Sequence, residues 1–432
     1  MRNSVIATLI AGIFITLDAQ AVDLLSTYQQ ALVNDAQYAS ARAALRAGQE
    51  KLPQARAGLL PSVVLSGGYS RIEVEDVRSG SGSSYKLELS QPLFRWANWQ
   101  QYEQGKLSVA FSEAQFAQIQ QDLILRVAQA YFDVLAAQDT IGFVQAQKTA
   151  ISEQLESAKQ NFEVGTATIT DSHEAQARYD LALAQEYAAQ SDLEIKRAAL
   201  QQIIGSAPGD LARLKTGVAL DVPQPPRIGD WVNSAEQQNY AVIGSQIGLA
   251  IAQRDISRNR AGHYPTVDLV ASRSHSNQST STSVAGNTNA IGVQWSIPLF
   301  AGFAITSKVR EAIALEDKAR FDLETARRVA AQGARQSYLG VTSGLAQVKA
   351  LEAAEVSSLS ALDANKLGYQ VGVRINIDVL NAQQQLFSTR KDLARARYDT
   401  IVNGLKLKSA AGTLQEQDLQ IVNGFLTPQQ VY

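Results

Sequence analysis

The side chains that most often carry catalytic or metal chemistry are few and scattered in this sequence. There is no cysteine, which excludes disulfides, thiolate metal sites and cysteine nucleophiles. The three histidines, His173, His263 and His275, lack the spacing of metal ligands, and no Ser-His-Asp arrangement can be recognised. A phosphate-binding GxxxxGKS or GxxxxGKT motif is also absent. These features predict a protein that is not an enzyme and that uses neither a metal nor a cofactor.

The charged residues are nearly balanced, with a formal net charge of −2 over 432 residues. Nucleic-acid binding usually requires a basic face, so this balance predicts no nucleic-acid partner. Acidic pairs such as Glu73 and Glu75 lie beside a loop rich in serine and glycine, where we expect them to be solvated.

The N-terminus has the three parts of a secretory signal peptide. Arg2 supplies the positive charge, residues 5–17 form an apolar core, and residues 19–21 (AQA) fit a cleavage site. We therefore predict a signal peptide at 1–21 and a mature chain that starts at Val22. The alternative is a first transmembrane helix, but the apolar stretch is shorter than the roughly 20 residues that a span requires.

The elements that would position any site occur twice along the chain. Residues 164–171 read VGTATITD and residues 371–378 read VGVRINID, and the same offset aligns Tyr131 with Tyr338. The period is far longer than a solenoid repeat, so each copy must be half of the molecule and contain several elements. We predict a first repeat at 22–207, a connector at 208–229, a second repeat at 230–414 and a C-terminal tail at 415–432.

Within each repeat the hydrophobic period changes in the same order. Alternation with period two predicts strands at about 62–72, 84–93, 266–274 and 290–299. Helical periodicity predicts helices at about 23–56, 96–163 and 172–204, and again at about 231–260, 304–369 and 379–411. The longest helices exceed what one globular core can cover, which favours a coiled coil. The predicted fold is therefore mostly α, with two halves that each consist of helix, β-hairpin, long helix, turn and helix.

The two hairpins are compatible with two environments. Strands of about ten residues with one apolar face suit a transmembrane β-strand, but they also suit a half-buried hairpin of an ordinary domain. The signal peptide and the aromatic residues near the strand ends favour the membrane. Because open sheet edges cannot face lipid and four strands are too few for a closed barrel, several chains would have to share one. Three chains would supply twelve strands.

This arrangement resembles the TolC-type outer-membrane efflux family over essentially the whole mature chain. The most specific segments are LDANKLGYQVGVRINIDVLNAQQQLFSTRKDLARARYD at 362–399 and LKSAAGTLQEQDL at 407–419, with NFEVGTATITDSHEAQARYD at 161–180 as the first-repeat counterpart. The resemblance implies a homotrimer in which a 12-stranded β-barrel in the outer membrane of a Gram-negative bacterium continues into a long periplasmic α-barrel. The connector and the tail would lie at the equator of that α-barrel.

The function that the resemblance implies is an exit duct of a tripartite efflux pump or a type I secretion system. Such a duct contacts outer-membrane lipid and docks with a periplasmic adaptor and an inner-membrane pump or ABC transporter. Two other functions remain open. A periplasmic coiled-coil scaffold or adaptor would lack a pore, and an exported hydrolase would need a nucleophile–base pair that we do not find. The signal peptide and the four one-sided strands favour the duct.

The resemblance also assigns candidate site residues. The polar links that close the periplasmic end of the family correspond to Thr170, Asp171, Tyr369 and Arg374, although these residues could simply cap helical hairpins. An acidic ring at the entrance corresponds to Asp378, and Asn381 stands where better-known members have a second acid. We therefore expect cation selectivity with weak block by multivalent cations. The candidate adaptor contacts at the tips are Val164, Gly165, Thr166, Val371, Gly372 and Val373.

Overall fold

The computed structural model describes residues 22–74, 77–166, 168–215, 217–277 and 285–427. The predicted signal peptide at 1–21 and the end of the predicted tail at 428–432 lie outside the described residues. The fold is mostly helical and contains the four strands that the sequence predicted, which form one sheet, together with a two-stranded sheet that was not predicted. Among the described helices, none combines the length and the apolar character that crossing a membrane requires.

The first repeat begins with three helices where the sequence predicted one helix at 23–56. They are α1 (Leu24–Asn34), α2 (Ala36–Gln49) and α3 (Lys51–Ala57). The chain breaks at Asp35 because this residue has extended backbone and its carboxylate accepts a hydrogen bond from the Tyr38 N–H at 2.6 Å. Such a side chain satisfies an N–H group that the new helix leaves without a partner.

The four predicted strands form one antiparallel sheet. The first hairpin consists of β1 (Ser62–Val74) and β2 (Val77–Phe94), so its second strand begins earlier than the predicted residue 84. The second hairpin consists of β4 (Thr266–Ser276) and β5 (Gly286–Ser296), which ends before the predicted residue 299. The strand order β1-β2-β4-β5 joins the two repeats through β2 and β4 and leaves β1 and β5 as edges.

Each β-hairpin is followed in the chain by a long helix and a returning helix. In the first repeat these are α4 (Trp96–Glu163) and α5 (Ile169–Ile204). In the second repeat α6 (Ile228–Gln238) and α7 (Tyr240–Arg260) precede the sheet, and α8 (Ala304–Gln370) and α9 (Asn376–Ala410) follow it. At 1.5 Å per residue α4 is about 100 Å long. The two returning helices begin three residues earlier than predicted, and the predicted helix at 231–260 breaks where Asn239 caps α7.

The largest apolar core lies near the middle of the long helices, in a part that we call the equatorial region. There Tyr131 and Phe132 of α4 are packed with Leu405 of α9 and Leu419 of α10 (Glu416–Asn423). Two short strands close over this core, because β3 (Arg213–Leu214) pairs with β6 (Leu426–Thr427). The connector and the tail are thereby fastened to the same part of the molecule.

Both repeats use a tyrosine to fasten the connector segments to a long helix. The Tyr131 hydroxyl is buried and lies 2.9 Å from the Ala212 carbonyl and 3.1 Å from the Val22 carbonyl. Tyr338, its counterpart on α8, donates to the Pro226 carbonyl. Burial raises the pKa of Tyr131, so the phenol stays protonated and remains a donor.

A second contact is also duplicated between the repeats. The Asn34 amide donates to the Ile204 carbonyl at 2.9 Å, and the Asn239 amide donates to the Ala410 carbonyl at 3.0 Å. In each case the first helix segment of a repeat satisfies a carbonyl at the end of its last helix, which has no partner within the helix itself. The duplication seen in the sequence is therefore a duplication of contacts.

Candidate functional site

The candidate site residues lie at the two turns farthest along the long helices from the sheet. We call this region the tip and define it as residues 151–182 and 362–386, apart from residue 167. One hairpin, formed by α4 and α5, belongs to the first repeat, and the other, formed by α8 and α9, belongs to the second.

The two turns end their helices in the same way. Gly165 and Gly372 have φ angles of 76° and 78°, a conformation that favours glycine. The next N–H reaches back to the helix in both turns, from Thr166 to Asn161 at 2.8 Å and from Val373 to Gly368 at 2.9 Å. A Cβ atom built on either positive-φ glycine would meet nothing within 4 Å, so the space beside each turn is open. The six candidate adaptor contacts, Val164, Gly165, Thr166, Val371, Gly372 and Val373, are all exposed.

The first turn leads into α5 through a capping box. The Thr168 hydroxyl accepts from the Asp171 N–H at 3.4 Å, and the Asp171 carboxylate accepts from the Thr168 N–H at 3.0 Å and the Thr168 hydroxyl at 2.8 Å. This reciprocal pair satisfies two N–H groups at the start of the helix. Thr170 is exposed beside it. Within the chain, the carboxylate of Asp171 thus serves its own helix.

The second turn lacks this box because Ile375 stands where the first turn has Thr168. Asp378, the counterpart of Asp171, instead lies 3.6 Å from the Arg374 guanidinium. The two side chains are 59 % and 34 % exposed, so solvent screens the pair and it contributes at most about 1 kcal/mol. The structure therefore pairs a candidate gate residue with the candidate ring residue.

Tyr369 makes a contact that the sequence did not predict. Its hydroxyl accepts a hydrogen bond from the Asn161 amide at 3.2 Å, which joins α8 to α4. Among the described residues of this single chain, no hydrogen bond or ion pair joins Tyr369 or Arg374 to Asp171. The links between these residues, if formed between neighbouring chains, remain a prediction.

Asn381 is hydrogen-bonded to a cation, Arg178, from the first hairpin. Its side-chain oxygen accepts from the Arg178 guanidinium at 3.0 Å, and a second N–H group of Arg178 donates to Gln384 at 2.6 Å. The residue that stands in place of a second acid is thus covered by a cation from α5. Sequence analysis did not single out Arg178, because nothing in its spacing relates it to residues some 200 positions away.

Asn376 is the second residue that sequence analysis missed. Its side chain is 1 % exposed, its oxygen accepts from the Gln154 amide at 2.5 Å, and its amide donates to the Asp171 carbonyl at 3.3 Å. We call these two bonds the Asn376 contact. A signal was present in the repeat, because residues 168–170 read TIT and residues 375–377 read INI. Polar and apolar residues are exchanged there, and Ile169, the counterpart of Asn376, is 46 % exposed.

Apolar packing continues from the Asn376 contact away from the turns. Leu380 of α9 packs with Ile151 and Leu155 of α4 and with Ala175 of α5. This cluster combines the returning helix of the second repeat with both helices of the first. The two hairpins are therefore joined side by side near the tip.

Electrostatics distinguish contacts within a hairpin from contacts between hairpins. Ion pairs cross each hairpin, from Lys148 to Glu186 at 2.5 Å in the first and from Arg390 to Glu355 at 2.9 Å in the second. The hydrogen bond from Lys148 lowers the pKa of Glu186 despite the opposing effect of desolvation. No ion pair among the described residues joins one hairpin to the other. The junction between hairpins relies on amide, phenol and guanidinium hydrogen bonds instead.

The family model described as "Outer membrane efflux protein" matches residues 27–206 and 231–413. The chain therefore belongs to the outer membrane efflux protein family, and the family membership and outer-membrane location inferred from the sequence are confirmed. Its two matched segments fall on the two structural repeats. Both the fold and the wide separation of the sheet from the tip fit this class of protein.

The chain is similar to individual members of that family along nearly its whole length. It is 36 % identical to the outer membrane protein TolC of Vibrio cholerae, over 94 % of this chain and 94 % of that protein. It is 34 % identical to TolC of Escherichia coli, over 95 % and 86 % of the two chains. It is 31 % identical to the alkaline protease secretion protein AprF of Pseudomonas aeruginosa, over 96 % and 90 %.

Solved structures confirm the fold. The Campylobacter jejuni CmeC outer membrane channel superposes with a TM-score of 0.80 over 93 % of this chain and 89 % of that chain, at 18 % identity. The CusC structure superposes with a TM-score of 0.79 over 90 % of this chain and 92 % of that chain, at 19 % identity. At such identities the likeness is one of architecture.

Proposed function

We propose that this protein assembles as a homotrimer that forms an exit duct through the outer membrane. The observation that carries the proposal is the four-stranded sheet, in which each edge strand, β1 or β5, pairs with a described strand on one side only. Apolar side chains such as Leu65 on β1 and Ile291 on β5 are exposed in the single chain. Three such sheets would form a closed barrel of twelve strands, in which no backbone edge faces lipid.

The helical part supports a duct that reaches well beyond the membrane. Helices of about 100 Å can cross a wide aqueous compartment, and three chains would arrange them as a periplasmic α-barrel. In that assembly the connector at 208–229 and the tail at 415–432 lie at the equator, where β3 and β6 already pair. Of the two repeats, 22–207 and 230–414, each would contribute one hairpin to the periplasmic end.

We place the gate at the tip. Thr170, Asp171, Tyr369 and Arg374 lie at the start of α5 and around the second turn, where links between neighbouring chains would close the entrance. The ion pair between Arg374 and Asp378 is weak, so an approaching carboxylate or carbonyl can compete for the guanidinium. Modest links of this kind let a partner that prefers the open state shift the equilibrium.

The entrance should select cations only moderately. One Asp378 per chain gives three carboxylates in a trimer, but Asn381 is neutral and is held by Arg178. A positive charge beside the ring weakens its attraction for multivalent cations. Tight block by trivalent cations in a bilayer recording would contradict this.

The partners follow from the family and from the exposed turns. The turns at 164–166 and 371–373 offer open, apolar surface to a periplasmic adaptor, which would connect the duct to an inner-membrane pump or ABC transporter. The chain has no nucleotide-binding motif, so energy must come from that transporter. Its relatives carry names of both efflux and protease secretion, and we propose an exit duct for one of these two routes rather than an enzyme.

Single-channel conductance in a planar bilayer tests this function. We expect a small, cation-selective conductance for the wild type and a larger one for Arg374→Ser, because the guanidinium can no longer hold the entrance. A matched control is Arg395→Ser, which removes an equally spaced ion pair with Asp399 at 3.7 Å, within α9 and away from the tip. We expect this control to conduct like the wild type.

Each result has a distinct meaning. Equal conductance of Arg374→Ser and the wild type would keep the channel and discard the gate residues. No conductance from protein that is shown to be inserted would remove the channel and favour a periplasmic scaffold or adaptor.

A further inference from the structure

We infer that Asn376 is a positioning residue that holds the second hairpin against the first in the resting tip, and that its two hydrogen bonds break when the entrance opens. The part of the inference that concerns an opening entrance rests on the proposed function. The contact itself can be tested without a pore. It involves residues outside the set assigned by the family resemblance.

The geometry of the Asn376 contact connects three helices through one side chain. Asn376 lies in the first turn of α9, Gln154 lies on α4, and the Asp171 carbonyl belongs to the first turn of α5. One amide thus engages both helices of the opposite hairpin. A displacement of α9 from either α4 or α5 would break at least one of the two bonds.

Because the Asn376 amide is buried, its hydrogen bonds within the protein can be satisfied only while the two hairpins stay together. Asn376 is 1 % exposed, and a buried amide is costly unless its donor and acceptor are both satisfied. Both are satisfied here, by groups of the first hairpin only. Once the hairpins separate, water can replace both partners, so the contact favours the closed arrangement without making it irreversible.

A purely local role for Asn376 does not fit its contacts. Asparagine often caps a helix start, but here neither side-chain bond goes to α9 itself. The first repeat starts its equivalent helix with Ile169 at this position, which shows that the turn does not require an amide. The exchange of TIT for INI gives the second hairpin a buried polar anchor that the first hairpin lacks.

The Asn376 contact is also chemically distinct from the ion pair beside it. Arg374 and Asp378 are charged and at least one third exposed, so salt weakens their attraction. The two amides and the carbonyl are neutral, so neither salt nor a change of pH within the stable range should weaken them. The tip would therefore combine a salt-sensitive contact with a salt-insensitive one.

Asn376→Leu is the central variant, because leucine keeps the approximate volume, leaves the Gln154 amide without its acceptor and removes the side-chain donor to the Asp171 carbonyl. We expect the ratio of open to closed channels to rise roughly tenfold, which corresponds to about 1.4 kcal/mol. The matched control is Asn365→Leu, since Asn365 is a half-buried tip asparagine whose amide donates within its own helix, to Ala361 at 2.9 Å. We expect no change for the control.

Gln154→Leu separates a specific contact from a general loss of packing. If the bond between the two amides matters, the double variant Gln154→Leu with Asn376→Leu should open no more than Asn376→Leu alone, because the same bond is lost only once. Fully additive effects would overturn the contact. So would an Asn376→Leu channel that is inserted, folded and conducts like the wild type at 0.1 M and 1 M salt alike.

Hydrogen exchange tests the contact independently of conductance. In Asn376→Leu we expect the amides of residues 376–380 to exchange faster than in Asn365→Leu, because α9 is no longer held at its start. Equal exchange in the two variants would overturn the inference. If even the wild type fails to conduct, the proposed duct fails, whereas faster exchange in Asn376→Leu would still support the contact.

Discussion

The two repeats make the same contacts in the equatorial region but different side-chain contacts at the tip. At the equator both repeats make the same contacts, with Tyr131 and Tyr338 donating to connector carbonyls and with Asn34 and Asn239 donating to helix ends. At the tip the turns share their backbone, but the side chains that follow them differ. The duplicated contacts hold the architecture, and the divergent ones lie where the two hairpins must play different parts.

Burial accounts for the difference in strength between the two regions. At the equator the bond from Tyr131 to the Ala212 carbonyl lies beneath packed side chains, where a lost partner leaves a buried group unsatisfied. Most tip bonds join exposed side chains, where water can replace a lost partner at little cost. Variants should therefore affect stability at the equator and opening at the tip.

The largest expected effect on stability comes from replacing glycine by alanine at two positions that have nearly the same φ angle, one in each region. At Gly412 a Cβ atom would lie 2.1 Å from the Gln238 carbonyl, whereas at Gly372, with nearly the same φ, it would meet nothing within 4 Å. We expect Gly412→Ala to lower the free energy of unfolding by about 3 kcal/mol or more and Gly372→Ala by only about 1–2 kcal/mol. Thermal unfolding of the purified variants measures this, and equal losses would refute the contrast.

A smaller effect should follow the removal of one hydroxyl. Tyr131→Phe leaves the Val22 and Ala212 carbonyls without this donor in a fully buried place, so we expect a loss of about 1–3 kcal/mol. Tyr338→Phe should cost less, because Tyr338 is only partly buried. Chemical denaturation of both variants compares the repeats directly, and a larger loss for Tyr338→Phe would show that burial does not decide the strength of these bonds.

The smallest effect concerns pH and a contact that only the first repeat has. Burial alone would raise the pKa of Asp35, but it is outweighed by the combined effect of the Arg126 guanidinium, which donates at 2.9 and 3.1 Å, and of hydrogen bonds from the Tyr38 and Gln37 backbone N–H groups, so the pKa lies below its usual 3.8. Because the folded state favours the carboxylate, this contribution is complete above pH 3.8 and is lost as the pH falls from 3.8 toward the lowered pKa.

Asp35→Asn should remove that part of the acid sensitivity. The wild type and the variant should differ in unfolding free energy at pH 7, and their difference should shrink as the pH approaches 3. A difference that stays constant over this range would mean that Asp35 is not stabilised as a carboxylate. The second repeat has Tyr240 and Gly333 at the corresponding positions, so no equivalent titration is expected there.

The sequence predicted the parts of this fold that depend on local periodicity. The long helices, the two tip turns and the four strands follow from apolar spacing and from the glycines at 165 and 372. Breaks at Asp35 and Asn239 were missed although both residue types commonly cap helices, because the apolar pattern continues across them. The capping residues indicated a break at each position, but the apolar periodicity over the whole segment favoured one continuous helix.

The contacts between hairpins could not be predicted in the same way. Arg178 with Asn381, and Gln154 with Asn376, are separated by some 200 residues, and their meeting depends on how two long helices wind around each other. A small rotation of either helix would carry these side chains past one another. Only the exchange of TIT for INI indicated that the two turns differ in which face they bury.

The open edges of the sheet determine how a newly made chain can reach its final state. Until neighbours arrive, β1 and β5 each have one side with no described strand beside it, and they present apolar side chains such as Tyr69 and Trp295. Correct pairing then competes with aggregation, and both reactions accelerate as the concentration of unassembled chains rises. The yield of inserted protein should therefore be limited by the lifetime of the lone chain, which makes any factor that shields those two strands a determinant of biogenesis.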